Sequence, residues 1–336
     1  MNQPLRVNVY RGKQLESQHQ VLVSVVDCDG KELQSFGNSG FPVFLRSAAK
    51  PFQALAFLHS GAARACDASS QEIALACASH LGHDIHVQTV QGLLQRCQID
   101  AQALQNCEHE HSHELAFDCQ QKNKDEKKLF QHNCSGKHAA FLVAQKHLQL
   151  PLQNYLLPQA PLQKMVLKAV SDLAQMSLEN LETSVEADGC GAPIFKMPLH
   201  NVARLYAELG AQKHPIYAAY LQTLFQAMNS HPELIRGEGD FNTDLIRAFS
   251  GRLVAKLGYE GVYGVALANG VGLAVKVLDG NARALAPAIM HILSGLFSMQ
   301  DSAILSLKKW ATPRVHNIHK VVVGHIAVES LDGVCE

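Results

Sequence analysis

Alternating apolar and polar residues mark both ends of this 336-residue chain, while the long stretch between them is patterned for helices. Arg6–Tyr10, Gln20–Val26 and Lys31–Phe36 read as strands, punctuated by Arg11-Gly12-Lys13 and Asp29-Gly30. From about Ala48 to Gly210 the spacing becomes helical, as in Phe52–Leu58 and Val87–Cys97, where apolar residues recur on one face. After Gly251 alternation returns in Leu253–Leu257, Val262–Leu267 and Leu273–Val277, with turns at Gly258, Asn269-Gly270 and Asp279-Gly280. A helix near Ala282–Phe297 and a last strand, Lys320–Glu329, complete the pattern. Strands at both ends imply one antiparallel sheet closed by both termini, an α/β (α+β) chain with a helical lobe inserted. The expected division is a sheet part at about 1–60 and 251–336 and a helical lobe at about 61–250, together forming one unit over 1–336. No internal repeat is visible.

Lys and Arg number 29 against 30 Asp and Glu, so no long-range field gathers nucleic acid or an anionic membrane. A small polar or zwitterionic partner fits better. The amino terminus lacks the pattern of a secretory signal, and no apolar run approaches the roughly 18 residues of a membrane span. Nine cysteines without framework spacing read as reduced thiols, so a cytoplasmic protein is expected. The charge run Gln121–Lys128 reads as a solvated loop. The histidine groups His80, His83, His86 and His109, His111, His113 invite a metal reading, but in a chain rich in Gln and His they are taken as solvated loops.

Ser47 and Lys50 stand where the strand pattern gives way to the helical one, three residues apart and so able to share a helical face. A serine hydroxyl needs a nearby base, and a lysine serves only if burial or a second cation lowers its pKa. Pro51 biases Lys50 away from helical geometry, and S-x-x-K is short enough to be a serine at a helix start followed by a surface lysine. The layout adds weight: Ser79 follows inside the helical stretch and Lys256-Leu257-Gly258 lies on a returning strand, in the order of S-x-x-K, S-x-N and K-T-G in penicillin-binding proteins and β-lactamases. The second motif lacks its asparagine and the third has leucine for threonine.

A second constellation comprises Asn133-Cys134-Ser135-Gly136-Lys137-His138 and Asp188-Gly189-Cys190-Gly191, each presenting a cysteine on a tight backbone. Two thiolates suit zinc, which leaves a position for water or substrate when three protein groups bind it. Two buried free cysteines are the plainer reading of the spacing.

These residues resemble the zinc-dependent, Rhizobium-type L-asparaginases of the asparaginase II family. The resemblance runs through Phe44–Ala54, Ala74–His80, His132–His138, Asp188–Pro193 and Arg252–Gly258 with Glu260–Tyr263. It implies a fold related to serine β-lactamases and glutaminases, and hydrolysis of L-asparagine to aspartate and ammonia in a homodimer. By position it implies that Ser47 with Lys50 and Ser79 with Lys256 form two serine–lysine pairs, and that Cys134, Lys137 and Cys190 bind Zn2+. Asp188 lies close by, and Arg46 and His138 are expected substrate contacts. Lys137 would have to lose a proton to bind metal.

The expected chemistry is attack by Ser47 on the side-chain amide carbon, loss of ammonia and hydrolysis of the acyl-enzyme. Lys50 accepts the serine proton and Ser79 and Lys256 relay or hold it. Zinc orients the substrate, with a metal-activated water as the competing mechanism. Tyr259 stands where a small residue is expected, and the loop Gly239–Asp244 carries Asn242 where aspartate is common. The rival readings are a glutaminase or other acyl-serine hydrolase, and a non-catalytic zinc-binding protein.

Overall fold

The computed structural model describes residues 2–106, 126–182 and 186–329. His109, His111, His113 and most of Gln121–Lys128 lie outside the described residues. The chain divides into two compact units: residues 1–48, 197–211 and 244–336 form one, and residues 49–196 and 212–243 the other.

The first unit is built on an antiparallel sheet. Its strands are β1 (Leu5–Arg11), β2 (Gln14–Val26), β3 (Glu32–Phe36), β4 (Leu253–Leu257), β5 (Val262–Leu267), β6 (Gly272–Val277), β7 (Arg314–His316) and β8 (Val322–Val328). The order is β7-β8-β1-β2-β6-β5-β4, with β3 also paired to β2. The two chain ends therefore meet side by side, Val7 opposite Val328 and Val9 opposite Ile326. This is the antiparallel sheet flanked by helices that the alternating ends imply.

β2 is longer than its apolar pattern. Val21 to Val26 are buried, whereas Gln14 to Gln20 carry mostly exposed side chains and are held by backbone pairing to β1. β6 pairs the buried half in register from Gly272 opposite Val26 to Val277 opposite Val21. The helix Leu199–Ala211 returns to this unit because small residues on one sheet face admit it closely. A Cβ at Gly264 would overlap the Tyr206 ring, and one at Gly272 would overlap the Ala203 carbonyl. The helix Leu285–Leu296 also packs in this unit, with His291 edge-on to Phe36 at 6.4 Å.

The second unit is helical. The expected helix over Phe52–Leu58 is two short ones, Lys50–Gln53 and Leu55–His59, joined at Ala54. Ser69 caps the helix Ser70–Ala76 through a reciprocal bond with Glu72, which also receives Arg96 at 2.5 Å. The helix Ser135–His147 is buried from Ser135 to Gln145. It can lie against Ser70–Ala76 because residue 136 is glycine: a Cβ there would run into the Leu75 carbonyl. No helix among the described residues is long and apolar enough to cross a membrane.

Candidate active site

In the sheet unit, Ser47 sits in the 3-10 turn Arg46–Ala49, directly after the short strand Pro42–Phe44 and Leu45. Arg46 has φ +49°, a left-handed conformation that a side chain with a Cβ disfavours. Three contacts hold this turn. Tyr206 Oη donates to the Ala48 carbonyl at 2.7 Å, and Ala48 N donates to Leu45 O at 3.0 Å. The Arg46 guanidinium lies 5.3 Å from the centroid of the Tyr259 ring. Tyr259, the departure from a small residue, is thus a platform for Arg46. The end of β4 closes on the same turn: a Cβ at Gly258 would stand 2.9 Å from Leu45 O and 3.3 Å from Ala48 N. Lys256, two residues earlier, is buried, and its Nζ donates to Leu257 O at 2.7 Å.

In the helical unit, Lys50 is fully buried. Its Nζ lies 2.5 Å from Ala78 O, 3.3 Å from Asn133 O and 2.9 Å from Ser79 Oγ. The two carbonyls can only accept. The amine donates to both, and the Ser79 hydroxyl and the Cys134 sulfur are its further hydrogen-bond partners, so Ser79 stands within proton-transfer reach of this amine. Burial pushes the Lys50 amine below its ordinary value; the Cys134 sulfur opposes this and the Lys137 amine adds to it. Ser79, expected with Lys256, is therefore the serine in contact with Lys50.

Ser79 is fixed by the segment Ile235–Asp240. Its N–H donates to Ile235 O at 2.9 Å, and its carbonyl accepts from Arg236 at 2.9 Å. Arg236 is itself held by Asp240 at 3.1 Å, and Asp240 accepts the Asn242 N–H at 2.8 Å. Asn242, in the first turn of the helix Phe241–Ala248, is buried. No motif marked Arg236 or Asp240; the only sequence signal was the polar, glycine-bearing stretch around them.

Cys134 and Cys190 come together. Cys134 precedes the first turn of Ser135–His147, its N–H donating to His132 Nδ1 at 3.1 Å. Cys190 rides on a tight turn in which Gly191, at φ +79°, donates to Asp188 O and Asp188 N donates to Ala192 O. The Cys134 S–H donates to the Cys190 sulfur, which holds the Cys190 thiol well below its ordinary range against the effect of burial. The same bond, with burial, pushes Cys134 well above. Lys137 Nζ lies 3.1 Å from Cys190 Sγ and Asp188 Oδ2 3.9 Å from it. Burial works against the Lys137 ammonium, but the two sulfurs and Asp188 hold its pKa above the ordinary value. His138 is buried beside them, its Nδ1 2.7 Å from Tyr155 Oη.

Among the described residues no group of three or more His, Cys, Asp or Glu side chains is placed to hold a metal. The donor set available is two buried sulfurs and one amine. Two soft sulfurs, with an amine 3.1 Å from one of them, fit zinc once Lys137 and the thiols give up their protons.

Of the histidines first taken as solvated, His83 is exposed, whereas His80 and His86 are not. His80 and His86 are buried and stacked, centroids 4.7 Å apart. His80 contacts Ser135 Oγ at 2.9 Å and accepts from Gly82 N; His86 contacts Glu233 O at 3.0 Å and accepts from His83 N. Their nitrogens are occupied by protein groups, and the rings join the Ser79 segment to its neighbours.

Compared with known proteins, the chain matches the family described as L-asparaginase II over residues 7–328. No curated protein matches it. Among solved structures, one from Bacteroides dorei, proposed to be a beta-lactamase, is similar over 87% of this chain and 94% of its own, with 12% identity and a TM-score of 0.41.

Proposed function

The chain belongs to the L-asparaginase II family, and from that premise we propose that it hydrolyses the side-chain amide of L-asparagine to L-aspartate and ammonia by acyl transfer to a serine. Membership makes it an amidohydrolase acting on a small molecule. The single observation that supports the chemistry is Lys50, a fully buried amine in hydrogen-bond contact with a serine hydroxyl.

In this reading Ser47 Oγ attacks the amide carbon, Lys50 takes the hydroxyl proton and later returns one to the departing nitrogen, and water releases aspartate. Arg46, held on Tyr259, and Asp188 meet the charged ends of the amino acid. Lys256, buried near the end of β4, relays or holds the proton. Cys134, Lys137 and Cys190 would hold Zn2+, which supplies a Lewis-acid anchor for the substrate. The same reading includes a cytoplasmic homodimer.

One observation favours a second reading of the nucleophile. Ser79 is the hydroxyl 2.9 Å from Lys50, so Ser79 attacks directly if Lys50 serves it alone. The two readings separate on the acylated peptide, which carries Ser47 in one and Ser79 in the other. The substrate is tested by ammonia release from asparagine and glutamine and by hydrolysis of a penicillin, with and without added zinc. Fast release from asparagine and little from the other two is the expected result; preference for glutamine or the penicillin contradicts it.

A further inference from the structure

Cys66 and Cys97, 31 residues apart, cap the C-termini of two helices in the helical unit, Ala62–Ala65 and Asp84–Arg96. Both helices end in the same way. The residue after each cysteine is left-handed, Asp67 at φ +50° and Gln98 at φ +53°. The next N–H turns back into the helix, Ala68 N to Ala63 O at 2.8 Å and Ile99 N to Leu94 O at 2.9 Å. At these matching ends the two thiols are in hydrogen-bond contact with each other. Cys66 Sγ also lies 3.5 Å from the Ala63 carbonyl.

Side chains fix the backbone on both sides of the pair. Arg96 Nε donates to Cys66 O at 3.0 Å while its other nitrogen holds Glu72. Lys146 Nζ donates to Cys97 O at 2.8 Å and to Gln98 O at 3.0 Å. Both cysteines are half-buried, whereas Cys77, Cys134 and Cys190 are buried, so a solute reaches this pair first. The two sulfurs are not equivalent. The Arg96 guanidinium also hydrogen-bonds the Cys66 sulfur, so a negative charge formed there meets a cation. Burial, and then the Cys66 sulfur, push the Cys97 thiol up to about 11 although Arg96 pulls the other way. Cys97 therefore keeps its proton while Cys66 reacts.

We propose that Cys66 and Cys97 form a reversible oxidation site, a dithiol that closes to a disulfide by exchange with a small-molecule disulfide. Cys66 gives its proton to solvent and its sulfur attacks one sulfur of the small disulfide. A mixed S–S bond forms, the original one breaks, and one small thiolate leaves and takes up a proton. The Cys97 sulfur then attacks the Cys66 sulfur: the protein S–S bond forms, the mixed bond breaks, and the second small thiolate leaves with the proton that Cys97 releases. Two protein thiols are oxidised and one small disulfide is reduced to two thiols. The closed loop contains the helix Ser70–Ala76 and Ser79, so oxidation ties together the two ends of the segment that carries Ser79. The reduced pair suits a reducing compartment, where disulfides are transient.

The test uses the full-length protein, reduced with dithiothreitol, cleared of reductant and exposed to oxidised glutathione, the wild type beside Cys66→Ser and Cys97→Ser. Remaining thiols are alkylated, and linked peptides are sequenced by mass spectrometry. The wild type is expected to give a link between positions 66 and 97 within one chain, which dithiothreitol removes. The linked protein is expected to melt roughly 5 °C above the reduced one, because the bond closes a 31-residue loop of the unfolded chain. Neither variant gains this rise. Cys97→Ser stops at a glutathione adduct on Cys66, and Cys66→Ser takes up about tenfold less on Cys97. Wild-type protein that forms no 66–97 link, or a link that leaves the melting temperature unchanged or lowers it, overturns the proposal, and this holds even if a variant does not fold. An adduct that forms faster on Cys97 than on Cys66 overturns the order of attack. None of these measurements uses asparagine hydrolysis, so they decide the oxidation site whatever the substrate is.

Discussion

Lys50 and Ser79, 29 residues apart in the sequence, meet with the amine nitrogen 2.9 Å from the hydroxyl oxygen. Neither is open to solvent. The contact depends on chain geometry at both ends: Lys50 opens a helix in front of Pro51, and Ser79 follows the capped helix Ser70–Ala76 and is pinned by Ile235 and Arg236.

If Lys50 is the base, its substitution removes the proton acceptor without opening the core. Lys50→Met is expected to lower kcat/KM for asparagine by about 10²–10⁴-fold, the usual worth of a positioned acid–base group. Lys50→Arg does not restore it, because a guanidinium keeps its proton. Since the neutral amine is the active form, the wild-type rate rises with pH as Lys50 loses its proton. Burial, the largest influence on this amine, places that limb below the ordinary lysine range. A pH profile of kcat/KM checks both points; a profile set by an unshifted lysine contradicts them.

Removal of one sulfur should empty the metal cluster. Cys190→Ala is expected to bring zinc, measured by elemental analysis of the purified protein, towards zero and to raise the asparagine concentration for half-maximal rate. Zinc uptake by the wild type weakens as pH falls, because Lys137 and the thiols must be deprotonated to bind. Wild-type protein without zinc, unaffected by chelators, contradicts the metal reading.

Gly136 faces the Leu75 carbonyl with no room for a Cβ. Gly136→Ala is expected to destabilise the fold by about 1–3 kcal/mol through overpacking. Denaturant midpoints measure this. A neutral effect would mean that the helices Ser70–Ala76 and Ser135–His147 lie further apart.

Acid stability has a separate handle in the sheet unit. Arg252 grips Asp301 with two bonds, 2.6 and 3.0 Å, and Asp301 caps the Ala303 N–H, so the carboxyl is held down at about 2, chiefly by Arg252. A depressed carboxylate contributes stability above its unfolded pKa and loses it as pH falls through the folded one. Asp301→Asn should therefore melt lower than the wild type at neutral pH, and the difference should shrink between about pH 4 and pH 2. A gap independent of pH contradicts the linkage.

The fold was legible where burial and backbone pairing coincide. Val21–Val26 and Leu253–Val277 alternate or run apolar because they lie in the packed part of the sheet. Gln14–Gln20 and Arg314–His316 pair through the backbone with side chains largely in solvent, so no hydrophobic period betrays them. Leu199–Ala211 shows its amphipathic face in sequence, but the gap it fills is made by Gly264 and Gly272, more than 50 residues away.

In the site, spacing brought Ser47 and Lys50 to attention and the two glycine-bearing stretches brought Cys134 and Cys190. That Lys50 contacts Ser79 could not be read from spacing, since the contact is made by the turn after Cys77 and the strand-like hold of Ile235. Tyr155 was silent because one partner of its hydroxyl is the Gln105 backbone N–H, a group every non-proline residue carries.

The most direct measurement of the central claim is ammonia release from L-asparagine by purified wild type beside Ser47→Ala, each shown to be folded by thermal melting. The account predicts steady release by the wild type and none above background by Ser47→Ala. Near-normal release by Ser47→Ala would contradict the assignment of Ser47, and no release by the zinc-loaded wild type would contradict asparagine hydrolysis itself.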